Sequence, residues 1–165
     1  MVNGVESDLE TGVGERFRAA FRRYPTGVAI ISAAGPVGLT ASSVASVSLD
    51  PPALSFSVMG SPSAQALVRA PSFVVNLLGP DSIALARAFA GPGGPRFTPD
   101  QGWDYLPSGE PVLTSASASL RGIPLQLVPV GTSTVVIAEI VDVLLGEPGG
   151  HLVYHDRDFI ASPRR

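Results

Sequence analysis

Cysteine is absent from the 165 residues, which excludes disulfides and thiolate chemistry and leaves the redox compartment open. Lysine is absent as well, and the net charge is −3. A nucleic-acid binder needs a basic patch, so that class is set aside. Charged residues make up only 15% of the chain, against 45% hydrophobic ones. So little charge on so small a protein predicts that part of its surface is covered by a partner, in the first instance a second copy. Long apolar runs are missing too. The longest, "VVIAEIVDVLL", is broken by Glu139 and Asp142 and is too short to span a bilayer. The opening "MVNGVESDLE" has no apolar h-region, so it does not read as a signal peptide. The expectation is a cytoplasmic protein with no membrane and no nucleic-acid partner, folded as one domain over 14–165 behind a mobile tail over 1–13.

What is present is mostly strand-like. "GERFRAAFRRYPTG" places Phe17, Ala20, Phe21 and Tyr24 on one helical stripe with arginines on its flanks, and Pro25 ends it. After it come short apolar or alternating runs: "GVAIISAA", residues 37–49, "ALSFSVM", "SFVVNLL", "PVLTSASASLRG", "TVVIAEIVDVLL" and "HLVYHDRDF". "DSIALARAFA" reads as a second long helix with Asp81 as N-cap. Glu139 and Asp142 differ in parity, which predicts a bulge between them or a solvated strand end. Six or seven strands joined by short turns, with two or three helices, fit an antiparallel barrel or sandwich better than βαβ units.

Three candidate chemistries are weak. "GPGGP" follows a helix rather than a strand, and Pro95 removes an N–H that a phosphate cradle would use. His151 and His155 share a strand face but sit about 13 Å apart along it, so no metal site is expected. No G-x-S-x-G turn is present for a serine triad.

"GLTASSVASVSLDPP" is the most informative stretch. Thr40, Ser42, Ser46 and Ser48 share one parity, and their neighbours are small. In one extended strand they would form a hydroxyl shelf on which a flat ligand could rest. Further along, "GSPSAQALVRA" offers Ser61 as an N-cap, Pro62 at the first helical position and Ser63 just inside, a pattern that suits a phosphate.

These stretches, in this order, resemble the flavin reductase-like family, whose fold is the FMN-binding split barrel. The likeness is greatest to the reductase components of two-component flavin monooxygenases. The segments that carry it are "FRRYPTGVAIISA", "GLTASSVASVSLDPPALSFSV", "FVVNLLGPDSIALARAFAG", "RFTPDQGW" and "LVYHDRDF". The resemblance implies a homodimer of mostly-β, Greek-key split β-barrels with flanking helices. It also implies FMN or FAD bound near the dimer interface, and reduction by hydride from NADH or NADPH for a separate monooxygenase component. By the same resemblance Thr26 and Gly27 border the isoalloxazine, and Thr40, Ala41, Ser42 and Ser43 meet the ring edge and ribityl chain. Ser57, Ser61 and Ser63 approach the phosphate, and Arg96 and Phe97 close over the flavin. No catalytic acid or base is implied, since the flavin carries the redox chemistry.

In one place the chain departs from the family. Many members begin the long late strand with Gly-Asp-His, the histidine lying near the nicotinamide; here the residues are Gly131, Thr132 and Ser133. His155 and Arg157 are then the candidates for holding the nicotinamide nucleotide, Arg157 through its pyrophosphate. Two alternatives stand beside the reductase: a flavin binder without reductase activity, and a split barrel for another cofactor such as deazaflavin or haem.

Overall fold

The computed structural model describes residues 12–163. Residues 1–11 of the expected tail lie outside them. Val13 belongs not to a tail but to the first helix.

That helix, α1 (Val13–Arg22), leads into β1 (Thr26–Gly27), β2 (Ala29–Ala33), β3 (Val37–Ala41), β4 (Ala45–Leu49) and β5 (Pro52–Met59). Then come α2 (Pro62–Arg69), β6 (Phe73–Leu77), α3 (Ile83–Ala90), a 3-10 turn (Pro99–Gln101), β7 (Trp103–Tyr105) and β8 (Pro111–Leu113). The long hairpin β9 (Ala118–Val130) and β10 (Ser133–Leu145) and the short one β11 (His151–His155) and β12 (Asp158–Ser162) complete the chain.

Seven strands form one sheet in the order β3-β2-β6-β9-β10-β5-β4. It curls around a core of Ile31, Leu54, Phe56, Phe73, Val75 and Val136, with Leu67 of α2 packed in. β3 and β4 are its two edges and do not pair, so the barrel is split rather than closed. A second core lies outside the sheet, where Val28 and Ile30 meet Phe89 of α3, Leu113 and Leu152. β2 is buried on both faces, which is why "GVAIISAA" shows no alternation. Inside this layer Asn76 has every polar atom satisfied. Its Nδ2 donates to Ile30 O and Ser32 Oγ at 3.0 Å each, and its Oδ1 accepts from Leu113 N at 2.9 Å and Ser119 Oγ at 3.0 Å. The network locks β2, β6, β8 and β9 into one register.

Several sequence expectations change. The strand read over 37–49 is two strands at opposite edges of the sheet, with Ser42–Val44 crossing the gap between them. "PVLTSASASLRG" likewise breaks into β8 and the start of β9. The N-cap of α3 is Ser82, not Asp81, and it makes no side-chain cap bond. The expected bulge is there, as the β9–β10 register shifts between Ile140 and Asp142. β9 runs on through Pro124 and Pro129 because it leaves β6 after Gly122, and prolines are tolerated on the edge thus freed.

The stripe on α1 also lies elsewhere than in the core. Phe17, Phe21 and Tyr24 are 63%, 57% and 63% exposed, and α1 buries no residue. Among the described residues no helix is long and apolar enough to cross a membrane.

Candidate functional site

Where the barrel splits, the gap between β3 and β5 opens into a groove of about 900 Å³, within the range of small-molecule clefts. Its floor is Leu39, Thr40 and Ala41 at the end of β3 with Ser42 and Ser43 beyond; Ser57, Val58 and Met59 of β5 face them. Gly60, Ser61, Pro62 and Ser63 lead into α2 at one end. Phe89 and Ala90 of α3, then Gly91, Pro92, Gly93 and Arg96, close the other side. The hairpin turn at Asp50-Pro51 brings β5 back past the same opening, since Leu49 pairs with Pro52.

The groove is made of backbone and small side chains, but its hydroxyls are largely engaged. Thr40 Oγ1 donates to Ala86 O at 2.7 Å and ties β3 to α3. Ser43 Oγ bridges the peptide groups of Ser57 where β4 has left the edge of β5. Ser48, beyond the groove, accepts from Asp50 N at 3.2 Å. Of the expected shelf, Ser42 alone lines the groove as an exposed hydroxyl with no protein hydrogen bond among the described residues; Ser46 is exposed on β4, outside the groove lining.

The start of α2 forms as its sequence suggests. Ser61 is the N-cap, accepting from Ala64 N at 3.1 Å, and Pro62 sits in the first turn. Ser61 N–H is taken by Met59 O at 2.8 Å, and Pro62 has no N–H. Among the described residues Ser63 N–H is left without an acceptor, so the helix offers the groove one free amide rather than several.

Arg96 lines the groove with its hydrogen bonds already committed. Nη1 donates to Gly38 O at 2.8 Å and to Ser63 Oγ at 3.1 Å; Nη2 donates to Gly91 O at 2.7 Å and to Phe89 O at 3.4 Å. It braces the wall and lends the groove a positive charge. It is the one ionisable residue of this lining.

Three residues expected at a flavin, Thr26, Gly27 and Phe97, are not among those that line this groove. Phe97 does not border the groove. It turns into the second core, its ring 5.1 Å from Phe89 and 4.9 Å from Trp103. Thr26 and Gly27 pair with Tyr154 and Val153 of β11, away from the groove. Arg157 stands in the β11–β12 turn and lines a different cleft, with Phe17, Phe21 and Tyr24, while His155 ends β11 and borders neither opening. Among the described residues no three His, Cys, Asp or Glu side chains gather as a metal site.

Met59 and Phe89 line the groove without having been singled out in the sequence, and Gly91–Gly93, weighed there only as a phosphate cradle, forms part of its wall. The glycine run was the available signal: it is not a cradle after a strand but the thin wall after a helix.

The family model described as the flavin reductase like domain matches residues 21–161. The chain belongs to that family. It is 40% identical over 158 residues to an NADH:FMN oxidoreductase of Rhodococcus qingshengii, covering 90% of this chain and 82% of that protein. It is 32% identical over 167 residues to the reductase component of an FADH(2)-dependent resorcinol hydroxylase of a Rhizobium strain, covering 96% and 93% of the two. The solved NADH:FAD oxidoreductase of Streptomyces globisporus C-1027, in complex with NAD and FAD fragments, superposes with a TM-score of 0.81 at 28% identity, over 90% of this chain and 92% of that one. As a flavin reductase-like protein, the chain keeps the split barrel and its groove.

Proposed function

We propose that the protein is an NADH-dependent flavin reductase that supplies reduced FMN or FAD to a separate monooxygenase component. The observation that carries this is the groove, a long open slot floored by backbone and small side chains that holds one cation and no acid or base. Such a slot suits a flat, hydrogen-bonding tricycle with an anionic tail. Its residues fit a flavin: backbone groups near Ala41 and Ser42 meet the ring edge, while Ser63 N–H and the Arg96 charge favour the phosphate end. When bound, the flavin accepts hydride from the reduced nicotinamide and supplies all the redox chemistry. The chain binds, orients and shields; no side chain has to move a proton.

The working unit we infer is a homodimer. Val47 and Leu49 on the edge strand β4, Leu125, Leu127 and Val130 on the β9–β10 hairpin, and Met59 are all more than 40% exposed. Light scattering at micromolar concentration should give twice the 17.0 kDa chain mass; a value near 17.0 kDa rejects the dimer.

The direct test is an absorption spectrum of the purified protein with added FMN or FAD, followed by NADH. Bleaching of the flavin band with catalytic turnover is expected. One observation keeps a second reading in view. The Gly131-Thr132 turn stands at the rim of the groove, where Gly60 N donates to Thr132 O at 3.2 Å and Ser133 pairs with Met59, and it brings no histidine there. Flavin binding without NADH oxidation favours a flavin-binding protein instead.

A further inference from the structure

Arg96 and Phe97 are neighbours that point in opposite ways, one to the groove and the other to the second core, and a single side chain sits across the pair. We propose that this residue, Gln101, is a positioning residue for Arg96. It holds the arginine's charge at the groove wall and so sets how strongly the groove prefers a phosphorylated flavin to one without phosphate. This role rests on the flavin reading of the groove.

Phe97 is held in a left-handed conformation, φ 57°, which a bulky residue adopts only where its surroundings impose it. Residues 94–98 belong to no helix or strand, so no ladder imposes it. The Gln101 amide does. Its Nε2 donates to Pro95 O at 2.8 Å, and its Oε1 accepts from Thr98 N at 3.1 Å. Pro95 precedes the pair and Thr98 follows it, so one planar amide spans Arg96-Phe97 from end to end. The same Oε1 accepts from Trp103 Nε1 at 3.1 Å, and the Trp103 ring lies 4.9 Å from that of Phe97. Both acceptor positions of Oε1 are thus filled, one from the loop and one from its aromatic backing.

Gln101 is itself fixed. It ends the 3-10 turn Pro99–Gln101, whose N-cap is Thr98, and Gly102 follows in a left-handed conformation, φ 82°. Gly102 O accepts from Thr114 N at 3.0 Å and from Thr114 Oγ1 at 2.9 Å, just past β8. The clamp is therefore anchored in a segment that does not line the groove.

The clamp controls the side of the chain from which Arg96 leaves. A relaxed φ at Phe97 would take either the ring out of the Phe89–Trp103 cluster or the guanidinium away from Gly38 O and Ser63 Oγ. With its Nη donors given to the protein, Arg96 acts on a ligand as a charge in the wall rather than as a two-pronged fork. Such a charge favours an anionic tail and is indifferent to the ring. Riboflavin carries the same ring and ribityl chain as FMN without the phosphate, so the ratio of the two affinities isolates what Arg96 contributes.

The experiment is fluorescence titration of the full chain with FMN and with riboflavin, for the parent, Gln101→Met, Arg96→Met and the double variant. The parent should bind FMN the more tightly. Arg96→Met should cut that preference about tenfold and Gln101→Met about fivefold, with riboflavin affinity nearly unchanged. The double variant should lose no more than Arg96→Met does, since both changes act on one charge. Emission of Trp103, the sole tryptophan, should shift in unliganded Gln101→Met as its indole N–H loses its acceptor. Equal weakening of FMN and riboflavin by Gln101→Met overturns the role and leaves a structural clamp. So do losses that multiply in the double variant, an unmoved Trp103 emission, or a parent with no preference for FMN. If Gln101→Met does not fold, Gln101→Asn, which keeps the amide but shortens its reach, is read in the same way; failure of both to fold overturns the role as well. A parent that binds neither flavin rejects the reductase reading and this role with it. A parent that binds both and oxidises NADH, but whose variants fail the ratio test, leaves that reading standing and removes Gln101 alone.

Discussion

Ser43 Oγ accepts from Ser57 N at 2.9 Å and donates to Ser57 O at 3.1 Å, so one hydroxyl completes the edge of a strand. β4 pairs with β5 only as far as Ala45 and Ser55. Beyond that point the outer peptide groups of β5 have no strand beside them, and Ser43 supplies the missing partner. Ser43→Ala should therefore loosen this side of the groove, at a cost of about 1 kcal/mol in flavin binding, roughly a fivefold weaker affinity. Fluorescence titration of FMN checks it; Ser43→Thr should retain most of the affinity.

The opposite wall depends on a glycine. A Cβ on Gly38 would lie 2.9 Å from Phe97 Cζ and 3.1 Å from Phe89 Cε1. Phe89 is 1% exposed and has no room to retreat. The Gly38 carbonyl is also an acceptor for Arg96. Gly38→Ala should cost about 1–3 kcal/mol by overpacking and disturb the Arg96 brace as well. Urea unfolding and FMN titration together should show both losses; an unchanged midpoint would mean that the Phe97 ring swings away freely.

Much of this architecture is legible in the chain, and the failures share a cause. The cap Ser61-Pro62, the bulge between Glu139 and Asp142 and the doubly buried β2 follow from short-range pattern. The break at Ser42–Val44 does not, because alternation continues straight through it. Only the splitting of the sheet, a long-range event, puts β3 and β4 on different edges. Arg96 and Phe97 were legible as residue types but not as directions: Arg96 is turned by Gly38 O and Ser63 Oγ from far along the chain as well as by the nearer Phe89 and Gly91 carbonyls, and Phe97 by the rings of Phe89 and Trp103. Glu110 gives no sequence signal at all.

Glu110 sets an acid limit. It is fully buried, and burial by itself would raise its pKa. Hydrogen bonds from Ser108 and Ser72, the backbone contact and Arg121 Nε at 3.0 Å outweigh burial and hold the pKa at about 2, against an ordinary value of 4.5. The folded value is depressed, so the contribution, on the order of 3 kcal/mol, is complete above the unfolded value and is lost as the pH falls from about 5 towards 2. Urea unfolding from pH 7 to pH 3 should show that decline. Glu110→Gln should be about 2 kcal/mol less stable at neutral pH, with a flatter acid limb.

The last prediction separates size from hydrogen bonding on the groove floor. Ala41 is 6% exposed and belongs to the barrel core while bordering the groove; Ser42, the next residue, is exposed and makes no protein hydrogen bond among the described residues. Ala41→Leu has to place its added carbons either against Ile31 and Phe56 or in the groove. The first costs about 1–3 kcal/mol of stability, and the second blocks the ring. Ser42→Ala removes at most one hydrogen bond to the ligand, about 1 kcal/mol. Thermal unfolding and FMN titration on the two variants should give a large loss in at least one measurement for Ala41→Leu, and a small loss in binding alone for Ser42→Ala. If both variants bind FMN as the parent does, the flavin does not lie on β3, and the groove's role has to be sought in another ligand.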